Sequence, residues 1–123
     1  MSLEHEALTE RIIGAAIEVH RRLGPGFLES IYEKALVIEL QKRGLSVDRQ
    51  REVIIEYDKI EVGKHVLDLF VENTIIIELK HIKNIEDIHF VIARSYLRAA
   101  KQKHGLILNF AKVTLEVKRV IAP

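Results

Sequence analysis

The chain has no cysteine, no tryptophan, two prolines and one methionine, and almost no excess charge, with 19 Lys and Arg against 18 Asp and Glu in 123 residues. Without cysteine, a disulfide framework and a thiolate zinc site are both excluded, and a reducing, cytoplasmic setting is the expectation. A net charge of +1 means that any contact with nucleic acid needs a local basic surface rather than a polycationic chain. Candidates are His20-Arg21-Arg22, Arg49 with Arg51, and Lys101 with Lys103 and His104. Taken singly, each cluster reads first as a solvated helix end or strand edge. No apolar run approaches the roughly 20 residues of a membrane span. The acidic start "MSLEHEALTE" lacks the apolar core of a signal sequence, so neither export nor a membrane partner is expected. No serine or cysteine nucleophile arrangement and no dinucleotide fingerprint is present. Gly24-Pro25-Gly26 lacks the lysine and spacing of a phosphate loop.

With 48% apolar and 30% charged residues, the composition suits one globular domain over 1–123. Leu8, Ile12, Ala16, Val19 and Leu23 recur at helical spacing over 3–23, and Gly24-Pro25-Gly26 stops that helix. A second helix is predicted over 27–43, with Leu28, Ile31, Tyr32, Ala35, Leu36 and Leu40 inward and Gly44 as its cap. The period then becomes two. Val53, Ile55 and Tyr57 alternate with Ile54, Glu56 and Asp58, and a loop is expected near Gly63. "HVLDLFV" and "TIIIELK" flank Glu72-Asn73 as a hairpin. Asn84 with Asp87 resembles a capping box opening a helix that runs through Ile85, Ile88, Ile92 and Tyr96 to about Lys103. "GLILNF" and "TLEVKRVI" close the chain as two strands. The order ααβββαββ predicts an α/β (α+β) sandwich, a mixed, mostly antiparallel sheet flanked by helices.

The hairpin holds the candidate chemistry. Strict alternation puts Ile76, Glu78 and Lys80 on one face and Ile75, Ile77 and Leu79 on the other. It likewise groups Leu67, Leu69 and Val71 apart from Val66, Asp68 and Phe70. A three-residue turn centred on Asn73 sets Asp68 opposite Glu78, with Cβ atoms roughly 4.5–5.5 Å apart. A two-residue turn would send Asp68 to the other face. Opposed carboxylates among apolar residues destabilise a ladder unless something compensates them. A divalent cation such as Mg²⁺ or Mn²⁺ would do so, with Lys80 positioning water or stabilising charge on a phosphate. Pairing of Lys80 with Glu78 or Asp68 in an inert polar stripe is the other reading.

"GPGFLESIYEKAL" places Gly26, Glu29 and Tyr32 in a G-x-x-E-x-x-Y arrangement. With "EVH" before it, and "LDLFV", "IIIELK", "NF" and "KR" after it, the chain resembles the prokaryotic GxxExxY protein family from about Ile12 to Val120. That family is grouped with the PD-(D/E)XK nuclease superfamily, whose restriction-endonuclease-like core is a mixed sheet flanked by helices. The resemblance implies that Asp68 and Glu78 are metal ligands and catalytic carboxylates, Lys80 the catalytic lysine and Glu29 a further, helical acid. It adds the Leu79 carbonyl as a ligand to Mg²⁺ or Mn²⁺. Read from the residues alone, Glu29 also favours the start of a helix through the dipole. Tyr32 is given a packing role with a hydrogen bond to the site. His89 matches a histidine of look-alike members, whereas Ile92 stands where they carry glutamine and Leu67 where the superfamily's name has proline. His20 and Glu18, in the "EVH" stretch, receive no role.

The leading expectation is a metal-dependent nuclease acting on DNA or RNA, with Arg21, Arg22, Lys101 and Lys103 on the phosphate backbone. The alternatives are a non-catalytic nucleic-acid or protein-binding module that keeps the fold, and a homodimer joined through the final hairpin.

Overall fold

A computed structural model describes residues 5–123. Two helices, α1 (Glu6–Leu23) and α2 (Glu29–Lys42), precede three strands, β1 (Val47–Tyr57), β2 (Ile60–Val71) and β3 (Ile75–Lys80). Helix α3 (Asp87–Ala99), β4 (His104–Asn109) and β5 (Glu116–Ile121) complete the chain. The strands form one sheet in the order β1-β2-β3-β4-β5, antiparallel throughout except where β3 and β4 run parallel. Sequence order and sheet class agree with the expectation. Residues 3 and 4 of the expected first helix lie outside the described residues.

Two apolar layers sandwich the sheet. Ile12, Ala16 and Val19 of α1 and Tyr32, Leu36 and Leu40 of α2 pack on Leu69, Val71, Ile75, Ile77, Leu79 and Leu108. On the other face, Ala93 and Leu97 of α3 meet Leu67, Phe70, Ile76 and Ile107. Strand β3 is therefore buried on both sides, and a central strand with a parallel neighbour reads as a continuous apolar run. The fully buried side chains among these each contribute about 1.5–3 kcal/mol.

Several local expectations are corrected. Leu28 and Ile31 do not point inward; they are 73% and 39% exposed, whereas Tyr32, Leu36 and Leu40 are buried as expected. The chain has no loop at Gly63: Asp58 and Lys59, both at positive φ, make a two-residue turn, the geometry that matches strand twist. Gly63 lies within β2 opposite Ile55, where the ladder shifts register, a usual place for glycine in a strand. Helix α3 starts not at an Asn84 cap but after Glu86, whose N–H donates to His89 Nδ1 at 2.8 Å. It ends at Ala99, short of Lys103, and Ile88 and Ile92 lie toward solvent while Ala93 and Leu97 carry its buried stripe.

The G-x-x-E-x-x-Y segment has a structural explanation. Tyr32 is fully buried and stacks on Phe110 with ring centroids 4.6 Å apart. Its hydroxyl donates to Gly24 O at 2.6 Å and accepts from Phe27 N–H at 3.1 Å. The phenol thus ties down the turn between α1 and α2, where Gly24 and Gly26 take positive φ, and so fixes where α2 and Glu29 begin. The expected hydrogen bond from Tyr32 to the site is replaced by these two. Substituting Tyr32→Phe leaves a half-buried carbonyl and an amide without their partner, at a cost of about 1–3 kcal/mol. Thermal denaturation should show a Tm lower by roughly 5–10 °C.

Candidate active site

The β2–β3 hairpin turns through Glu72, Asn73 and Thr74, with Val71 paired to Ile75, Phe70 to Ile76 and Leu69 to Ile77. This is the three-residue turn on which the Asp68–Glu78 pairing depends, and the same register carried one step further sets those two opposite each other. The ladder itself stops at Leu69. Beyond it the Leu79 N–H, which a regular ladder would give to β2 backbone, donates to Asp68 Oδ2 at 2.8 Å.

The ladder stops because both neighbouring strands reverse face at this point. Leu67 packs in the α3 layer and Leu69 in the α1/α2 layer, although strict alternation would keep them together. The expected apolar grouping of Leu67 with Leu69 and Val71 is thereby corrected. Opposite them, Arg49 pairs with Leu69 and Arg51 with Leu67, and the intervening Gln50 sits at φ 57° outside the ladder. Arg49 reaches Glu33 of α2, whereas Arg51 lies over the Phe70 ring on the other face, 4.9 Å from its centroid. A left-handed residue in β1 thus accompanies a kink in β2, and beside the kink Asp68 lines a cleft together with Glu29 and Glu33 of α2.

The result is a cluster of carboxylates. Glu29, Ser30, Glu33, Asp68 and Leu79 line an open cleft of about 240 Å³. Glu78, only 7% exposed, hydrogen-bonds Asp68 and faces a small recess on the α3 side lined by Lys80, His89, Ile92, Ala93, Tyr96 and Ile107. Burial, and then the Asp68 charge, pushes the Glu78 carboxyl up to about 8, so at neutral pH it keeps its proton and donates it to Asp68. Asp68 is itself raised by burial and the Glu33 charge, against the opposing pull of the Leu79 N–H. Glu29 is raised by burial and by Asp68. Lys80 favours the charged form of all three carboxylates. Perturbed, interacting carboxyls in a cleft make this the candidate functional site.

Among the described residues, no three carboxylate or imidazole groups converge closely enough to hold a metal ion by themselves. Burial raises both Asp68 and Glu78 there. The donor set still fits a hard divalent cation, because magnesium is characteristically held by one or two carboxylates together with substrate phosphate and water. A larger cleft, about 280 Å³ between α1 and α2, lacks such convergence. Its charged lining is Arg22, Lys42 and Glu39, the last already paired with Arg43 at 2.9 Å.

Three contributors escape a reading of the sequence. Glu33 is 5% exposed, bound by Arg49 and Gln50, and its position one turn after Glu29 was the available signal. Asn109 is fully buried: its side chain accepts from Ile82 and Ala111 N–H and donates to Ile82 O and Glu116 Oε1, holding the chain that leaves Lys80. His65 approaches Glu78. It is an odd number of residues from Asp68, so alternation alone assigns it to the wrong face. The expected basic contacts divide: Arg21 and Arg22 follow His20, whose Nε2 meets Lys112 O just past the Lys80 end of the sheet. Lys101 and Lys103 precede β4, at the opposite end.

The sequence profile of the PD-(D/E)XK nuclease superfamily matches residues 6–120. This chain belongs to the PD-(D/E)XK nuclease superfamily. A search of solved structures finds the crystal structure of SSO0001, with a TM-score of 0.61 at 16% identity, over 97% of this chain and 60% of that one. That likeness shows the fold, and this superfamily member spans less than two thirds of the SSO0001 chain. No curated protein matches it. Among the described residues of this superfamily member, no helix is long and apolar enough to cross a membrane.

Proposed function

We propose that this superfamily member is a nuclease of the GxxExxY type, hydrolysing phosphodiester bonds of DNA or RNA with Mg²⁺ or Mn²⁺. The observation that carries the reading is the break in the sheet that forces Asp68 onto Glu78 and leaves both carboxyls holding protons more tightly than usual. Asp68, Glu78 and the Leu79 carbonyl, with Glu29 across the cleft, would hold the cation, which supplies Lewis acidity and a more acidic bound water. Lys80, from the recess on the α3 side, acts on all three carboxyls through its charge, which would offset their repulsion of a phosphate and stabilise charge on the phosphate oxygens. Glu33, paired with Arg49, lines the cleft, and its charge still raises Asp68 and Glu29. Arg21, paired with Glu18, and Arg22 follow His20 near the Lys80 end of the sheet and would be the basic residues to meet a nucleic-acid backbone there. Lys101 and Lys103 are too far round the molecule to share that path.

Ile92 favours a second reading, a binding module that keeps the nuclease fold, because it gives the recess beside Glu78 an apolar wall. Calorimetric titration of Mn²⁺ at pH 8 separates the two. The expected result is one binding event in the wild type that disappears in Asp68→Ala, accompanied by Mn²⁺-dependent cleavage of labelled DNA or RNA oligonucleotides by the wild type alone. Nucleic-acid affinity with no Mn²⁺ binding in either protein would refute the catalytic reading.

A further inference from the structure

His65 lies on β2 and reaches the α3 side of the sheet because the strand reverses face between it and Leu69. Its imidazole lies flat on Tyr96 of α3, ring centroids 3.4 Å apart and planes within 7°. That stacking fixes the ring plane and leaves its edge facing the sheet. There Nε2 stands 3.4 Å from Glu78 Oε1, at the outer limit of a hydrogen bond. Bonds of this kind in unliganded sites are commonly long and tighten when the site fills.

The rest of the surroundings makes that contact informative. On the α3 side, Glu78 faces Ile92, Ala93 and Ile107, side chains with no hydrogen bond to give. A buried carboxyl oxygen without a donor is costly. Of the polar neighbours there, His89 commits Nδ1 to the N–H of Glu86. Lys80 acts on Glu78 through its charge. The His65 edge makes a directional contact to Glu78 on this side, as donor when Nε2 carries the proton, while Asp68 acts on the carboxyl from the cleft side.

We propose that His65 is a positioning residue for Glu78: its Nε2–H, held in place by stacking on Tyr96, fixes the rotation of the Glu78 carboxyl so that the group faces Asp68 and the cleft. The inference deepens the nuclease reading and rests on it for its catalytic meaning. The hydrogen bond itself is testable without metal. Ligating carboxylates are oriented by such outer hydrogen bonds, and losing one typically costs 10–100-fold in metal affinity.

Two substitutions separate orientation from packing. His65→Phe keeps an aromatic ring on Tyr96 and removes the donor; His65→Gln keeps a donor and removes the ring. Mn²⁺ titration at pH 8 is expected to show affinity about 10–100-fold weaker in His65→Phe, with its Tm close to wild type, and largely recovered in His65→Gln. Wild-type affinity in His65→Phe would overturn the proposal, since the ring alone would then suffice. The second measurement is infrared spectroscopy of the metal-free protein at pH 6, with the Glu78 carboxyl band identified by its loss in Glu78→Gln. The C=O stretch should move to higher frequency in His65→Phe and return toward wild type in His65→Gln. An unmoved band overturns the proposal. A shifted band in a protein that binds no Mn²⁺ sustains the His65–Glu78 bond while refuting the metal reading.

Discussion

In metal-free protein, Glu78→Gln is expected to melt above the wild type, by a margin that grows from about pH 4.5 to about pH 8 and then levels off. The folded protein holds the Glu78 proton up to about 8, whereas the unfolded chain releases it near the ordinary glutamate value of 4.5. Between those values the native state binds more protons than the unfolded state, so wild-type stability falls as pH rises. The contribution is fully present below the unfolded value and is gone once pH has passed the folded one. Glutamine has no proton to lose and can still donate an N–H to Asp68, so the variant escapes that decline. Each pKa unit is worth about 1.4 kcal/mol, and because Asp68 shares the interaction the expected margin at pH 9 is about 2–4 kcal/mol, or roughly 10 °C in Tm. Other titrating groups are common to both proteins and cancel in the comparison.

Excess Mn²⁺ should invert the order. A cation bound to the native carboxylates stabilises the wild type by mass action, with affinity rising toward pH 8 as it displaces the shared proton, while Glu78→Gln gains far less. Melting curves with EDTA and with Mn²⁺ at pH 6 and pH 9 provide the check. Equal melting temperatures at pH 9 without metal would show that the carboxyl pair carries no strain, and the main physical argument for a functional site would fail.

The strain is legible in the sequence only in part, and the reason is the break in the sheet. Ile75, Ile76 and Ile77 running into Glu78 and Lys80 identify a doubly buried strand whose end carries charge, and Glu72-Asn73 identifies the turn that sets Asp68 opposite Glu78. Both follow from side-chain period and turn chemistry, which are local. The reversal of face across Gln50 and Asp68 is not local: no glycine or proline marks it, and Gln50 takes a positive φ that its residue type does not announce. Period-two reasoning therefore runs straight through the kink, assigns Leu67 to the wrong layer and leaves His65 unnoticed. The exposure of Leu28 and Ile31 has a similar origin. Helix α2 is apolar around much of its circumference, so spacing alone could not say which side faces Tyr32's layer. Glu33 was readable as a helical neighbour of Glu29. Its burial depends on Arg49 and Gln50, placed by the same break.

Lys80→Met should leave the fold intact and Mn²⁺ binding near wild type at pH 9, while lowering turnover by about 10²–10³. Its backbone is held independently of the side chain: the carbonyl accepts from Phe110 N–H at 3.0 Å, and the residue pairs with Asn109, whose own side chain secures the following segment. Methionine is close to lysine in length and apolar, so what is lost is charge. That charge favours ionised Glu29, Asp68 and Glu78 and disfavours charge on His65. Without it the carboxyls hold their protons more tightly, and the acidic limb of the pH–rate profile should move to higher pH. Raising the pH then restores the ionised carboxylates but cannot replace the positive group beside the phosphate. Mn²⁺ affinity near wild type at pH 9, combined with turnover still about 10²–10³ lower, would assign Lys80 to charge stabilisation during the reaction. Full recovery of turnover at pH 9 would instead confine Lys80 to tuning its neighbours, and turnover close to wild type at every pH would remove it from the mechanism.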